Sequence, residues 1–410
     1  MASPPEAAMP PTAPPPPARL ADPAAALEAA AALAPLLAER AAAHDRAGTF
    51  PVADFDDLRR TGLLGLMVPR RLGGPGASFL EYSRVAMALG AGNGATALIF
   101  NMHASVTGAM AQTPDDLARS LGVPETYFAA RDRLLGAAAD GALYAVAMSE
   151  RGAGSRLSAL TTTYGPVAGG YRLVGDKAFV SGAGHADAYL VAARSNGPGE
   201  PRVSHFVVPA GPGVEVESTW DALGMRATGS HDLRLDVTVD ADALLGGIEG
   251  LTLLLAQVMP QWLVASYAAV YVGVARAALS AACAHAAERH LGHLPALRAR
   301  IGRADAAVAA AELAVSEAAR RVDDAPGEAD TNRWVWRAKL LAGETAMEVA
   351  ASMLEAAGTS ASRRGHPLER LYRDARCGSL QPATSDVCAD WLGVAALGGD
   401  PEAEAQVPRW

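Results

Sequence analysis

Cysteine is scarce in this chain. Its 410 residues include only Cys283, Cys377 and Cys388, with no CxxC spacing, which excludes a disulfide framework and fits a reducing cytoplasm. Basic charge is also in short supply: 35 Lys and Arg stand against 44 Asp and Glu, for a formal net charge of -9. No basic surface is therefore expected to neutralise nucleic-acid phosphates. Long hydrophobic runs are missing too. The most apolar stretch, Trp262 to Ala275, is shorter than the ~20 residues of a bilayer span and follows Gln257, Pro260 and Gln261. It reads as a buried core helix, and no membrane partner is expected. Met1 to Pro17 is Pro- and Ala-rich, without the positive start or apolar run of a secretory leader, and reads as a disordered tail. No Cys or acidic residue completes a ligand set around His290 and His293, so no metal is expected.

What is present is enough apolar material, 50% of the chain, to bury large cores in two or three packed units. From Leu20 to about Ala139, Ala- and Leu-rich segments at helical spacing are punctuated by turns such as Pro69 to Gly76. Between Leu143 and about Val239 the pattern changes to short β-branched and aromatic runs. Tyr171 to Val174, Ala188 to Ala193, Ser204 to Val208 and Leu233 to Val239 are separated by turns such as Val167 to Gly170, as in a small antiparallel sheet. Helical spacing returns after Gly250, for example over Ile301 to Arg321 and Arg333 to Ala357. The expected organisation is a tail over 1–19, a helical domain over 20–140, a β-domain over 141–245, a helical bundle over 246–400 and a tail over 401–410. Where helices meet sheet a cleft is expected, and a ligand site in it.

The segment Ala147 to Ser155, AMSERGAGS, opens the β-region. Gly152 and Gly154 would let backbone N–H groups approach a ligand, and the Ser149 and Ser155 hydroxyls could add hydrogen bonds. Taken alone, such a turn is ordinary. Three further segments give it context: GDKAFVSGAGHAD over 175–187, LGMRATGSHDL over 223–233 and LERLYRDAR over 368–376. Together the four resemble, in order and spacing, the TEPGAGSD loop, GxKxWITNG strand, GxRxS/T segment and RDAK/R helix start of the acyl-CoA dehydrogenase superfamily. The resemblance implies an α+β fold with an N-terminal helical domain, a middle antiparallel β-domain and a C-terminal four-helix bundle. It also implies a homodimer or homotetramer with flavin between subunits, FAD being expected and FMN the alternative. By the same resemblance Met148, Ser149, Gly154, Ser155, Phe179 and Ser181 would contact the flavin, the last two in place of tryptophan and threonine. Arg289 and Gly358 lie in altered versions of the family's flavin-contacting segments, so fewer adenine contacts are implied, with Arg289 reaching the pyrophosphate across the dimer. Arg226 is expected either to pair with Asp232 or anchor the sheet, or to take a role at the site.

The departures concern catalysis. The family's proton-abstracting glutamate would fall near Leu380-Gln381-Pro382-Ala383-Thr384, with Pro382 at the base position; the second placement used by some branches falls at Leu263-Val264. Neither proline nor leucine titrates, and general-base assistance is worth ~10² to 10⁴ in rate. Monooxygenases on this scaffold also lack the glutamate and place a histidine and a serine near the flavin, so His103, Ser149 and Gln381 are the catalytic candidates. A lone histidine in an apolar helical stretch is ordinarily a satisfied core residue; the resemblance is what makes His103 a candidate. Asp386 is expected as a helix N-cap and Glu150 in a salt bridge. The expected activity is flavin-dependent oxidation next to a carbonyl of a small acyl substrate, free or bound as a thioester to CoA or an acyl carrier protein. The alternatives are a reduced-flavin monooxygenase served by a flavin reductase, and a non-catalytic flavin- or acyl-binding partner protein.

Overall fold

The computed structural model describes residues 17–401 except 155, with the side chains of 158, 252, 256 and 257 also outside the description. Most of both expected tails lies beyond those limits. Six helices come first: α1 (Pro23–Ala47), α2 (Val52–Arg60), α3 (Phe79–Gly92), α4 (Gly94–Gln112), α5 (Asp115–Ser120) and α6 (Glu125–Ala139). Their ends follow local chemistry. Asp22 accepts the Ala25 N–H at 2.9 Å to start α1, and Gly48, at φ 64°, ends it in the left-handed conformation that glycine adopts without strain. Ser78 and Glu81 form a reciprocal capping box at the start of α3.

Seven strands follow: β1 (Tyr144–Ala147), β2 (Thr163–Val167), β3 (Gly170–Val180), β4 (Ala188–Ser195), β5 (Val203–Pro209), β6 (Val214–Glu217) and β7 (His231–Asp240). The sheet order is β1-β4-β2-β3-β7-β6, with β5 paired to β4. Pairing is antiparallel except that β4 runs parallel to both β1 and β2, a detail the alternating pattern did not carry. β3 and β7 keep register until a bulge between Lys177 and Val180. Such a bulge re-aims the side chains within it, and the residue it turns outward is Phe179.

The chain returns to helix in α7 (Leu251–Val258), α8 (Ala265–Glu288), α9 (Pro295–Asp324), α10 (Ala329–Ala357), α11 (Pro367–Arg376) and α12 (Ser385–Ala396). By length and composition Pro260–Glu288 could cross a membrane, but most of its apolar stretch is buried and α8 packs against α3, α4, α9, α10 and α11. It is the central helix of the core. Its contact with α3 is backbone to backbone: a Cβ on Gly273 would lie 2.4 Å from the Met87 carbonyl oxygen, and one on Gly90 2.6 Å from that of Val270.

The RDAR segment fastens the two ends of the chain together. Arg373 on α11 makes two bonds to Asp45 of α1 (2.9 and 2.6 Å), two to Glu369 (2.6 and 3.0 Å) and one to the Leu223 carbonyl (2.9 Å). Asp374 accepts the Met225 N–H at 2.6 Å and pairs with Arg370 at 3.2 Å. Three segments distant in sequence thereby meet at one buried ionic cluster.

Candidate functional site

A cavity of about 760 Å³ opens where the helical domains meet the sheet. The N-terminal helices contribute Met110 and Gln112, the sheet contributes Val146, Met148, Leu190 and His205, and the C-terminal region contributes Leu255, Trp262 and Leu263. Trp262 forms its floor because Gly108 leaves the room: a Cβ there would stand 2.1 Å from the indole ring. The indole N–H donates to Gln112 Oε1 at 3.2 Å, and Phe79 meets the ring edge-on at 4.8 Å. The carboxylates among the described wall residues are Glu81 and Asp323, and both cap α3. Glu81 accepts the Ser78 N–H at 2.8 Å, while Asp323 accepts those of Phe79 and Leu80 at 2.7 and 3.0 Å.

Beside this cavity the ends of β1 and β3 bring several expected residues together. The Ala178 N–H donates to the Ser149 carbonyl at 2.8 Å, placing Met148 and Ser149 next to Phe179. Phe179 sits at φ 60°, an unusual conformation for a bulky residue and one that points to a functional constraint. Its side chain is 58% exposed and meets Trp220 edge-on at 6.3 Å. Ser181 is buried, and its hydroxyl heads a chain through Ser230 (2.9 Å) and Thr228 (2.7 Å) to the Met225 carbonyl (2.8 Å). Trp220, Thr228 and Ser230 lie roughly 40 to 50 residues from Phe179 and Ser181, and only the β3–β7 pairing unites them. Thr228 and Ser230 lie within the LGMRATGSHDL segment that the sequence marks, but no local signal marked Trp220.

The Gly-rich loop is held by its carboxylate. Glu150 takes bonds from Lys177 Nζ (2.8 Å), the Thr161 N–H and hydroxyl (both 2.6 Å) and the Thr162 N–H (3.0 Å). Burial opposes its charge, but these donors outweigh burial and hold the carboxyl down at about 2. Burial likewise pulls Lys177 down to about 8, against the attraction of Glu150. This is the expected salt bridge. Gly154 differs from expectation, because its N–H donates to the Glu150 carbonyl at 2.9 Å within the loop and is not free for a phosphate. Ser155 lies outside the described residues.

Other expectations need correction. His103 is buried; its Nε2 donates to the Leu64 carbonyl at 2.7 Å and its Nδ1 accepts the Tyr144 N–H at 3.0 Å. With both ring nitrogens engaged and burial pushing its pKa down to about 4, it ties α4 to β1 and is not placed to exchange protons with a ligand. Gln381 is half-buried beside Tyr271, away from the cavity wall, and its N–H donates to Cys377. Arg226 pairs with Asp221 at 2.6 Å and reaches the Asp45 carbonyl, while Asp232 pairs with Arg151. The cap of α12 is Thr384, with Asp386 within the first turn. Arg289 and Gly358 cap the ends of α8 and α10. Val274, where α8 passes Met225 and Gly94, is 15 residues before Arg289, so Arg289 lies ~22 Å along the helix from the hydroxyl chain.

Three domain profiles match the chain in order: "Acyl-CoA dehydrogenase, N-terminal domain" over residues 25–114, the middle domain over 145–238 and the C-terminal domain over 262–391. An amino sugar nitrososynthase from Streptomyces peucetius is 32% identical over 383 residues, covering 89% of this chain and 91% of the relative. The chain belongs to the acyl-CoA dehydrogenase family. Within it, an L-evernosamine nitrososynthase from a Micromonospora species is also 32% identical (89% and 88% covered), and a putative acyl-CoA dehydrogenase from Bacillus subtilis is 27% identical (88% and 93%). Among solved structures, KijD3 in complex with FMN and a dTDP-3-amino-4-keto sugar superimposes with a TM-score of 0.81 at 29% identity (92% and 94% covered). FMN-bound TdsC from Paenibacillus sp. A11-2 gives 0.80 at 26% (91% and 97%).

Three residues of this acyl-CoA dehydrogenase-family chain lie together beside the cavity. Phe179 offers an exposed aromatic face, Ser181 a hydroxyl with remaining hydrogen-bond capacity, and Met148 a side chain that also lines the cavity. Leu263, where the resemblance led one placement of the base to be expected, lies on the cavity wall. Pro382, at the other, lies in the turn before α12.

Proposed function

We propose that the protein is a reduced-flavin-dependent monooxygenase that oxygenates an amino group on a small molecule of sugar size. The observation that carries this reading is the cavity wall. Its described carboxylates, Glu81 and Asp323, are engaged in capping α3, and the wall residue Leu263, at a position the resemblance assigns to the base, cannot titrate. Removing a proton next to a carbonyl needs such a base. A neutral amine nitrogen already carries the electron pair that reacts, so its oxygenation needs no removal of a carbon-bound proton. The 32% identical nitrososynthases and the FMN-bound neighbours support the same choice, as does a cavity within the usual 300–1,000 Å³ range of small-molecule sites.

The flavin would lie against Phe179 with its edge toward Met148, Ser149 and Ser181, and when bound and reduced it supplies the two electrons that activate oxygen. In net terms an amine R–NH2, O2, two electrons and two protons give R–NHOH and water. The chain's own part is to hold the ring at the mouth of the cavity and to exclude water with Trp262, Leu190 and Leu255. Two incubations test the proposal. With a flavin reductase, NADH and FMN, a dTDP-3-amino sugar should gain 16 mass units only when oxygen is present. With bound flavin and no oxygen, a panel of acyl-CoA thioesters should fail to bleach it. Rapid anaerobic bleaching by an acyl-CoA would overturn the proposal in favour of dehydrogenation.

A further inference from the structure

A second cavity, of about 280 Å³, lies at the seam of α1, α3, α8 and α11 and shares no lining residue with the first. Four arginines border it, Arg46, Arg364, Arg370 and Arg373, against two carboxylates, Asp45 and Glu369. Both carboxylates face Arg373 and are engaged by it. Arg46 and Arg364 are exposed and have no acidic partner among the described residues. Arg370 is 8% exposed; its Nη1 reaches Asp374, but its Nε is buried without a hydrogen-bond partner. A buried guanidinium N–H lacking an acceptor is unfavourable, and an acceptor supplied by a ligand removes that penalty. The start of α11 contributes little beyond this: His366 Nδ1 takes the Leu368 N–H and the His366 carbonyl takes that of Glu369. Recognition therefore falls to the side chains.

We propose that this cavity is a binding site for a phosphate group, gripped by Arg46, Arg364 and Arg370. Guanidinium forks match phosphate oxygens in pairs, and the excess of arginine over available carboxylate favours a multiply charged anion. The volume lies below the range for whole drug-sized ligands, so the site takes inorganic phosphate or the phosphate end of a larger molecule. This inference is independent of the oxygenation reading, because its readout is binding.

Calorimetric titration of the purified full-length chain with inorganic phosphate tests it. Saturable one-to-one binding is expected, weakened ~tenfold or more in Arg46→Gln and in Arg364→Gln, weakened by added salt and unchanged in Arg300→Gln. Both test positions are exposed, so unchanged melting temperatures will separate loss of the site from loss of the fold. Parallel titrations with FMN and thymidine 5'-diphosphate distinguish the source: tighter binding than inorganic phosphate, lost in the same two variants, identifies a nucleotide, and equal binding identifies phosphate alone. Absence of saturable phosphate binding, or equal affinity in wild type and both glutamine variants, overturns the proposal.

Discussion

Phe179 is a position where binding and folding can be separated. Its ring is mostly exposed, so Phe179→Ala should leave the melting temperature nearly unchanged while removing a stacking contact worth ~1 kcal/mol. Flavin affinity, measured by fluorescence quenching, is expected to fall about fivefold to tenfold; an unchanged affinity would remove Phe179 from the site. His103 is the converse case, a buried residue that acts on stability. Burial pushes His103 and His205 down to about 4 when folded, against an ordinary value near 6.5. The unfolded chain therefore takes up these protons first as pH falls. Stability is fully present above about pH 6.5 and is lost progressively toward pH 4, by up to roughly 3 kcal/mol per histidine. Melting temperature against pH should show this decline, and His103→Gln should reduce its slope by about one proton.

At the scale of elements, the decisive contact is α3 against α8. Gly273 and Gly90 face carbonyl oxygens of the opposite helix, which cannot rotate away as a side chain could. Gly273→Ala should force the helices apart and cost ~1–3 kcal/mol or more, read as a lower urea midpoint. Because Trp262 and Leu263 immediately precede α8 and form part of the cavity wall, a displaced α8 should also alter ligand affinity. The sheet makes a related point. The bulge between Lys177 and Val180 turns Phe179 outward, while Glu150 and Lys177 pin the preceding loop to β3 from within.

For the whole molecule, the ionic cluster around Arg373 joins the first helix to the last third of the chain. Arg373→Leu would leave Asp45 and Glu369 largely buried without their shared partner, and breaking such a pair typically costs ~3–5 kcal/mol. Urea denaturation should show that loss, accompanied by loosening of the 221–226 loop, visible as a change in Trp220 fluorescence after subtraction of a Trp220→Phe control. The cluster also shows why a motif can be legible while its role is not. LERLYRDAR was visible as a string, but Asp45 lies 328 residues from Arg373, and nothing near Asp45 in the sequence marks it as a partner.

The sequence by itself determined the order of helices, sheet and helices, the family, and the absence of a titratable group at positions 263 and 382, because periodicity, turn chemistry and residue identity are local properties. The tertiary structure decided which candidates come together beside the cavity. It joined Met148, Ser149, Phe179 and Ser181 through strand pairing, sealed His103 between Leu64 and Tyr144, and placed Arg289 and Gly358 at the ends of α8 and α10. Burial and hydrogen-bond partnership depend on contacts between segments far apart in the chain, and those contacts fix whether a side chain binds, reacts or supports the fold.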